Sequence, residues 1–306
     1  MYRLAVFDIG TNSILLTIVE VQGGEIRSLC ERSRITRLGE GLNKTGILGE
    51  IPQQRSLDAL KHLLDEVRDY RADFTIAAGT EVLRRAGNAQ VFLQACEQMG
   101  LHVEVISGER EAYLSYLSVA KDPLFAGYTH LTMLDVGGGS TEISRGHNGS
   151  LTRSHSYPLG AVRLTEALLH TDPPTTDEIH HLQEEVRAHL RDEPPLQTGE
   201  YLVGVGGTFV NLASLHGQYT DFLPDRVHGA VLTAEQVQAL ANLLCALPLE
   251  ERRRLPGIEP ERAPVLHTGA CIVHAVMQCL GAHQLAVSMR GLRWGLIYEF
   301  AASHRD

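Results

Sequence analysis

The sequence predicts an α/β protein built from two similar domains, and three observations predict it. An apolar run, Leu4 to Ile9, meets the turn Gly10-Thr11-Asn12-Ser13 and a second apolar run from Ile14 to Val21, the pattern of a strand–turn–strand unit. The same order returns at Leu131 to Val136, the turn Gly137-Gly138-Gly139-Ser140 and the run Thr141 to Arg145. The two copies are also in step. Asp8-Ile9-Gly10 answers Asp135-Val136-Gly137 at an offset of 127, and Gly79-Thr80 answers Gly207-Thr208 at an offset of 128. Near-equal offsets at separate landmarks point to a duplication. The Asp122-Pro123 step is a natural boundary, giving domains 1–122 and 123–306, with the last helix, about 290–306, free to pack back on the first.

The remaining elements follow in order. Gln22-Gly23-Gly24-Glu25 turns the chain into a third strand. Pro52 opens a helix with Leu57, Leu60, Leu64 and Val67 on its apolar face, because Pro suits a first turn and apolar residues recur at helical spacing. A strand from Phe74 ends at Gly79-Thr80, a helix from about Asn88 stops at Gly100, and a strand spans about 102–106. Ser107 then caps a helix running toward Lys121. In the second half His147-Asn148-Gly149-Ser150 turns into a third strand. Helices are expected around 163–169 and 176–190, and a strand from Tyr201 ends at Gly206-Gly207-Thr208. Thr268 to Met289 carries His274, Gln278, His283 and Gln284, too polar for a bilayer, and reads as a buried helix followed by a strand.

Composition narrows the functional classes. The 306 residues exceed one ordinary core, and 43% hydrophobic with 21% charged residues is the balance of a folded chain. A formal net charge of −10 argues against a broad nucleic-acid surface, so any anion must enter a locally positive pocket. Cys30, Cys96, Cys245, Cys271 and Cys279 have no zinc-like spacing and are odd in number. With no cleavable leader pattern and no membrane span, the expectation is reduced thiols in the cytoplasm. A homodimer stays open.

The chemistry concentrates in a few segments. In Asp135-Val136-Gly137-Gly138-Gly139-Ser140-Thr141-Glu142, successive glycines expose backbone amides to an anion, and Ser140 and Thr141 add hydroxyls. Asp135 and Glu142 flank the turn, so the hairpin can bring both carboxylates to one Mg²⁺, with Mn²⁺ as a substitute. A tight hairpin with a capping Asp is the plainer alternative. Asp8-Ile9-Gly10-Thr11-Asn12-Ser13 is the partner loop. There Asn12 and Ser13 can donate to phosphate, and Asp8 can reach the metal through water; a polar turn explains it equally. Glu111, in the first turn of its helix, either complements the helix dipole or faces the interdomain cleft as a base. Arg84 either clamps a phosphoryl group or is an exposed helix cation. Arg32, Arg34 and Arg37 either extend a polyanion path or solvate a strand face.

Six motifs then stand in a telling order: Asp8 to Ser13, Arg37-Leu38-Gly39-Glu40-Gly41-Leu42, Thr80 to Arg84, Ile106-Ser107-Gly108 to Glu111-Ala112, Asp135 to Glu142, and Gly204 to Thr208. The chain resembles the exopolyphosphatase / guanosine pentaphosphate phosphohydrolase (Ppx/GppA) family from Asp8 to about Tyr298. The resemblance implies duplicated actin-like ATPase (ribonuclease H-like) domains with the active site in the interdomain cleft. It implies Glu111 as catalytic base, Asp135 and Glu142 as metal ligands, and Arg84 as the phosphate-binding arginine. It also makes phosphate loops of the Gly137 segment and of Gly206, Gly207 and Thr208. The implied reaction is metal-assisted hydrolysis of the terminal phosphoanhydride of inorganic polyphosphate or guanosine pentaphosphate. Two positions depart from the family pattern. Arg110 stands where the first Glu of Ser-Gly-x-Glu-Glu-Ala is expected, and Trp294 where members often carry Glu. An ATP-dependent kinase on the same fold, or a non-catalytic polyphosphate or alarmone binder, are the rival readings; no adenine or acceptor pocket is identifiable for the first.

Overall fold

In the computed structural model of the chain, residues 1–221 and 223–304 are described, the side chain of Asn43 excepted. The chain divides into two compact units, Met1–Ser118 with Leu292–Asp306, and Val119–Gly291. Asp122 and Pro123 lie inside the second unit, while the helix Leu292–Ser303 completes the first.

The first unit holds a sheet of β1 (Tyr2–Ile9), β2 (Ser13–Gln22), β3 (Glu25–Ile35), β4 (Phe74–Gly79) and β5 (Glu104–Val105) in the order β3-β2-β1-β4-β5. The first three strands form an antiparallel meander, and β4 and β5 add in parallel beside β1. Both faces are covered, which is why β1 is apolar at nearly every position. Ala5, Phe7 and Ile9 pack on one side with Leu60, Leu63 and Phe92. Leu4 and Val6 pack on the other with Leu114, Leu292, Trp294 and Ile297. Side chains alternate along a strand, so Asp8 continues the Leu4–Val6 side. The helix Glu50–Asp69 starts two residues before Pro52 and buries Leu60, Leu63 and Val67. The expected strand over 102–106 shrinks to Glu104–Val105, while Val103 and Ile106 are buried outside the ladder. The helix Gly108–Ala120 is capped by Ser107, whose Oγ accepts from Arg110 N at 3.1 Å. It meets Leu292–Ser303 backbone to backbone: a Cβ on Gly295 would lie 2.0 Å from the Leu114 carbonyl oxygen.

The second unit contains β6 (His130–Val136), β7 (Thr141–His147), β8 (Ser150–Tyr157), β9 (Glu200–Val205), β10 (Val231–Thr233) and β11 (Gln284–Ser288). Their order is β10-β11-β9-β6-β7-β8. From β8 to β11 this repeats the first sheet strand for strand, including the antiparallel meander and the parallel additions. The topology is that of duplicated ribonuclease H-like, actin-like domains; β10 is an addition to the second. The repeat extends to single hydrogen bonds. Gly10 N donates to Ser13 O at 3.0 Å, and Gly137 N to Ser140 O at 2.9 Å. Thr80 Oγ1 donates to Ile9 O at 3.3 Å, and Thr208 Oγ1 to Val136 O at 2.9 Å.

The helix Ala263–Leu280 is long and apolar enough to cross a membrane, but 78% of it is buried inside the protein, as befits a core helix. It packs among Leu212, Leu240 and Leu244 in the second unit's core, and β11 follows it. All five cysteines are free; only Cys279 is partly exposed.

Candidate active site

The second unit builds its site on the β6–β7 hairpin. Asp135 and Glu142 are direct cross-strand partners, so their side chains leave the same face about 5 Å apart at Cβ. Glu142 Oε1 accepts from Ser140 Oγ and from Ser156 Oγ, both at 2.6 Å, which fixes the carboxylate. The equivalent first-unit pair is Asp8 and Leu15, so the carboxylate pair exists once, not twice. Among the described residues no cluster of three His, Cys, Asp or Glu side chains could hold a metal ion. Two adjacent carboxylates suit Mg²⁺, which keeps several waters and takes phosphate oxygens rather than filling its shell with protein ligands.

The loop joining these strands is held from behind. Gly137 O accepts from Ala161 N at 2.9 Å, and Gly138 O accepts from Val162 N and Arg163 N, both at 3.0 Å. The first turn of the helix Ala161–Leu168 therefore takes up the loop carbonyls. Among the described residues the amides of Gly138, Gly139 and Ser140 donate to no protein acceptor. Three consecutive N–H groups without a protein acceptor, beside two carboxylates, have the chemistry to take an anion next to a cation. Gly160 makes this arrangement possible. A Cβ there would lie 2.1 Å from Gly138 O and 2.3 Å from Gly139 C. Thr141 contributes differently from expectation: its buried hydroxyl donates to Leu159 O at 2.5 Å.

Gly206 opens the helix Gly207–His216 at φ 90°, and a Cβ there would stand 2.9 Å from Asp135 Oδ1. The first-turn amides of Gly207 and Thr208 lack intrahelical acceptors by construction, which places a second set of donors beside Asp135. The Thr208 hydroxyl is turned inward to Val136 O. Sequence reasoning missed Arg262. Its guanidinium lies flat against Gly207, where a Cβ would come within 2.1 Å of Cζ, and its Nε donates to Glu259 Oε2 at 2.7 Å. No local pattern announces it, because Arg262 sits far along the chain from the loop it covers.

The first unit carries the other candidates. Asn12 is exposed, its Nδ2 donating to Ser13 Oγ at 3.3 Å. Arg84 Nη1 donates to Glu111 Oε2 at 2.7 Å and to Ile106 O at 2.8 Å, so these two candidates are one hydrogen-bonded pair. Burial pushes the Glu111 carboxyl above its ordinary pKa, and Arg84 opposes the shift. Burial and then the Glu111 charge push Asp8 up to about 7, with Arg293 pulling the other way. Arg293 is buried beneath β2, donating to Leu16 O at 3.0 Å and to Thr17 Oγ1 at 2.5 Å. Arg110 forms a two-pronged ion pair with Glu299, 2.7 Å at its Nη1, and Trp294 is buried with its indole donating to Glu31 at 3.4 Å. Arg32 and Arg34 both pair with Glu66, at 2.6 and 3.7 Å.

A model of the Ppx/GppA phosphatase family matches residues 17–304. The chain belongs to this family. Exopolyphosphatase 2 of Mycobacterium tuberculosis is 31% identical over 98% of both chains. The crystal structure of the Aquifex aeolicus member of the Ppx/GppA family superposes with a TM-score of 0.87 at 33% identity, covering 100% of this chain and 99% of that one. A Cytophaga hutchinsonii exopolyphosphatase superposes at 0.88 with 25% identity over 99% of each. Ppx/GppA membership makes the chain a phosphatase, and it leaves the kinase alternative without support.

Proposed function

We propose that this Ppx/GppA protein is a cytoplasmic, Mg²⁺-dependent exopolyphosphatase that removes the terminal phosphate of inorganic polyphosphate, with guanosine pentaphosphate as a second substrate. The observation that carries the reading is the coincidence of three unpaired loop amides with a cross-strand carboxylate pair. A terminal phosphoryl group has three free oxygens to fill such a cradle, whereas an internal one has two. The named activity of the mycobacterial relative supports the same substrate.

In this reading the residues divide the work. The amides of Gly138, Gly139 and Ser140 and the first turn of the helix at Gly207 hold the phosphoryl oxygens, joined by Asn12, Ser13 and Arg84. Asp135, Glu142 and Asp8 are the residues that would hold the metal. A bound Mg²⁺ supplies charge neutralisation on the phosphate oxygens. Glu111 accepts a proton from the attacking water as its oxygen bonds to phosphorus and the bridging oxygen leaves with the shortened chain. Arg84 orients Glu111 through their hydrogen bond and brings positive charge to the phosphoryl group. Phosphoryl transfer needs mainly such positioning and charge stabilisation.

Orthophosphate release measured in parallel on polyphosphate and guanosine pentaphosphate tests the proposal. Gel analysis of a long polyphosphate should show orthophosphate from the first time points. Mid-sized fragments without early orthophosphate would refute terminal attack, and no release from either substrate would refute the function.

A further inference from the structure

Among the described residues, four non-glycine residues have positive φ: Arg37 at 49°, Arg71 at 52°, Asn148 at 49° and Gln218 at 51°. Three have ordinary reasons. Arg71 and Gln218 follow the helices Glu50–Asp69 and Gly207–His216, where a left-handed residue ends a helix. Asn148 turns the β7–β8 hairpin beside Gly149. Arg37 ends no helix and turns no hairpin. It sits in the segment after β3, at a backbone conformation that a long side chain occupies at a cost.

That segment is fastened to the first unit's glycine loop. Thr36 N and Arg37 N both donate to Asn12 O, at 3.0 and 2.9 Å, and Gly39 N donates to Thr11 O at 2.9 Å. A Cβ on Gly39 would lie 2.4 Å from the Thr11 methyl, so the two loops touch with no room between them. Arg55 locks the outer side, donating to Thr36 O, to Arg37 O at 3.3 Å and to Glu40 Oε2 at 2.8 Å. The backbone of Arg37 is thus held on both sides while its side chain is exposed. Among the described residues it has no ion-pair partner, unlike Arg32 and Arg34, which share Glu66.

We propose that Arg37 is a specificity-determining cation that binds a non-reacting phosphate of the polyphosphate chain, and that Arg32 and Arg34 have no part in it. The inference rests on the proposed exopolyphosphatase reading. The strained φ is tolerated because it holds the Arg37 backbone on Asn12 O while leaving the side chain exposed beside that loop, in a protein whose net charge of −10 would otherwise repel the chain. A planar guanidinium matches phosphate with two parallel donors, which a lysine cannot copy.

The variants R37G, R37K and R34Q, assayed on long polyphosphate across a salt series, decide it. Glycine relieves the φ constraint, so R37G should melt no lower than wild type and should still raise KM about tenfold with kcat kept. Its dependence of log KM on log salt should flatten by about one unit, the signature of one lost phosphate contact. R37K should recover part of the KM, and R34Q should match wild type. A KM for R37G within twofold of wild type, an unchanged salt slope, or a loss confined to kcat overturns the assignment. A wild type that releases no phosphate from polyphosphate overturns the underlying function instead, so the two failures are distinguishable.

Discussion

Replacing Gly160 with alanine tests the cradle at a residue that does not itself meet substrate. The new Cβ would stand 2.1 Å from Gly138 O and 2.3 Å from Gly139 C, both backbone atoms that no rotamer change can move aside. Ordinary contact begins near 3.4 Å, so the loop must shift by about 1.3 Å, in the range where a misplacement near 1 Å costs roughly 10²-fold in rate. Overpacking of this kind also costs about 1–3 kcal/mol in stability. The assay is kcat/KM for phosphate release, with melting temperature and circular dichroism confirming a folded variant. Gly127→Ala is the control, because a Cβ there meets nothing within 4 Å. A folded Gly160→Ala enzyme with near-normal kcat/KM would show that the Gly138–Ser140 amides do not position the phosphoryl group.

Other outcomes follow from the same geometry. Glu111→Gln should lower kcat by about 10²–10⁴ while leaving KM nearly unchanged, and in wild type kcat/KM should fall on acidification at a pH above the ordinary glutamate value, because burial raises the Glu111 pKa; a flat profile would remove Glu111 as base. Asp8 has a folded pKa of about 7 against 3.8 ordinarily, so the stability it contributes is present below pH 4 and is lost as pH rises to 7. Asp8→Asn should therefore gain on wild type across that window in metal-free buffer, by at most about 4 kcal/mol, and a constant difference between pH 4 and pH 8 in denaturant titrations would contradict it. Asp135→Asn and Glu142→Gln should each raise the Mg²⁺ concentration needed for half-maximal phosphate release after EDTA treatment; full activity without metal would exclude the carboxylate pair as its site.

How much of this was legible depends on the range of the interaction. The Asp135–Glu142 hairpin, the Ser107 cap and the duplication are local or periodic, so residue spacing reveals them. The roles of Thr141 and Thr208 were not legible, because whether a hydroxyl faces a ligand or an inner carbonyl is decided by the strand or helix packed behind it. Gly160 and Arg262 escaped for a related reason. Each acts on a loop many residues earlier in the chain, and neither belongs to a motif. The expected strand over 102–106 was overread because Val103 and Ile106 are buried through packing rather than through a ladder. The basic run divides in the folded chain, since Glu66, on a distant helix, claims Arg32 and Arg34.

The return of Leu292–Ser303 to the first unit also shapes how the protein is made. All of Val119–Gly291 is continuous and can fold once it leaves the ribosome, but the first unit waits for the last helix to be synthesised. At about 5–20 residues per second, that wait is on the order of ten seconds or more. Until then the β1 face with Leu4 and Val6 lacks Leu292, Trp294 and Ile297 against it. During that interval an apolar face of the nascent first unit stays uncovered, so it is the N-terminal half, not the C-terminal one, whose packing is completed last.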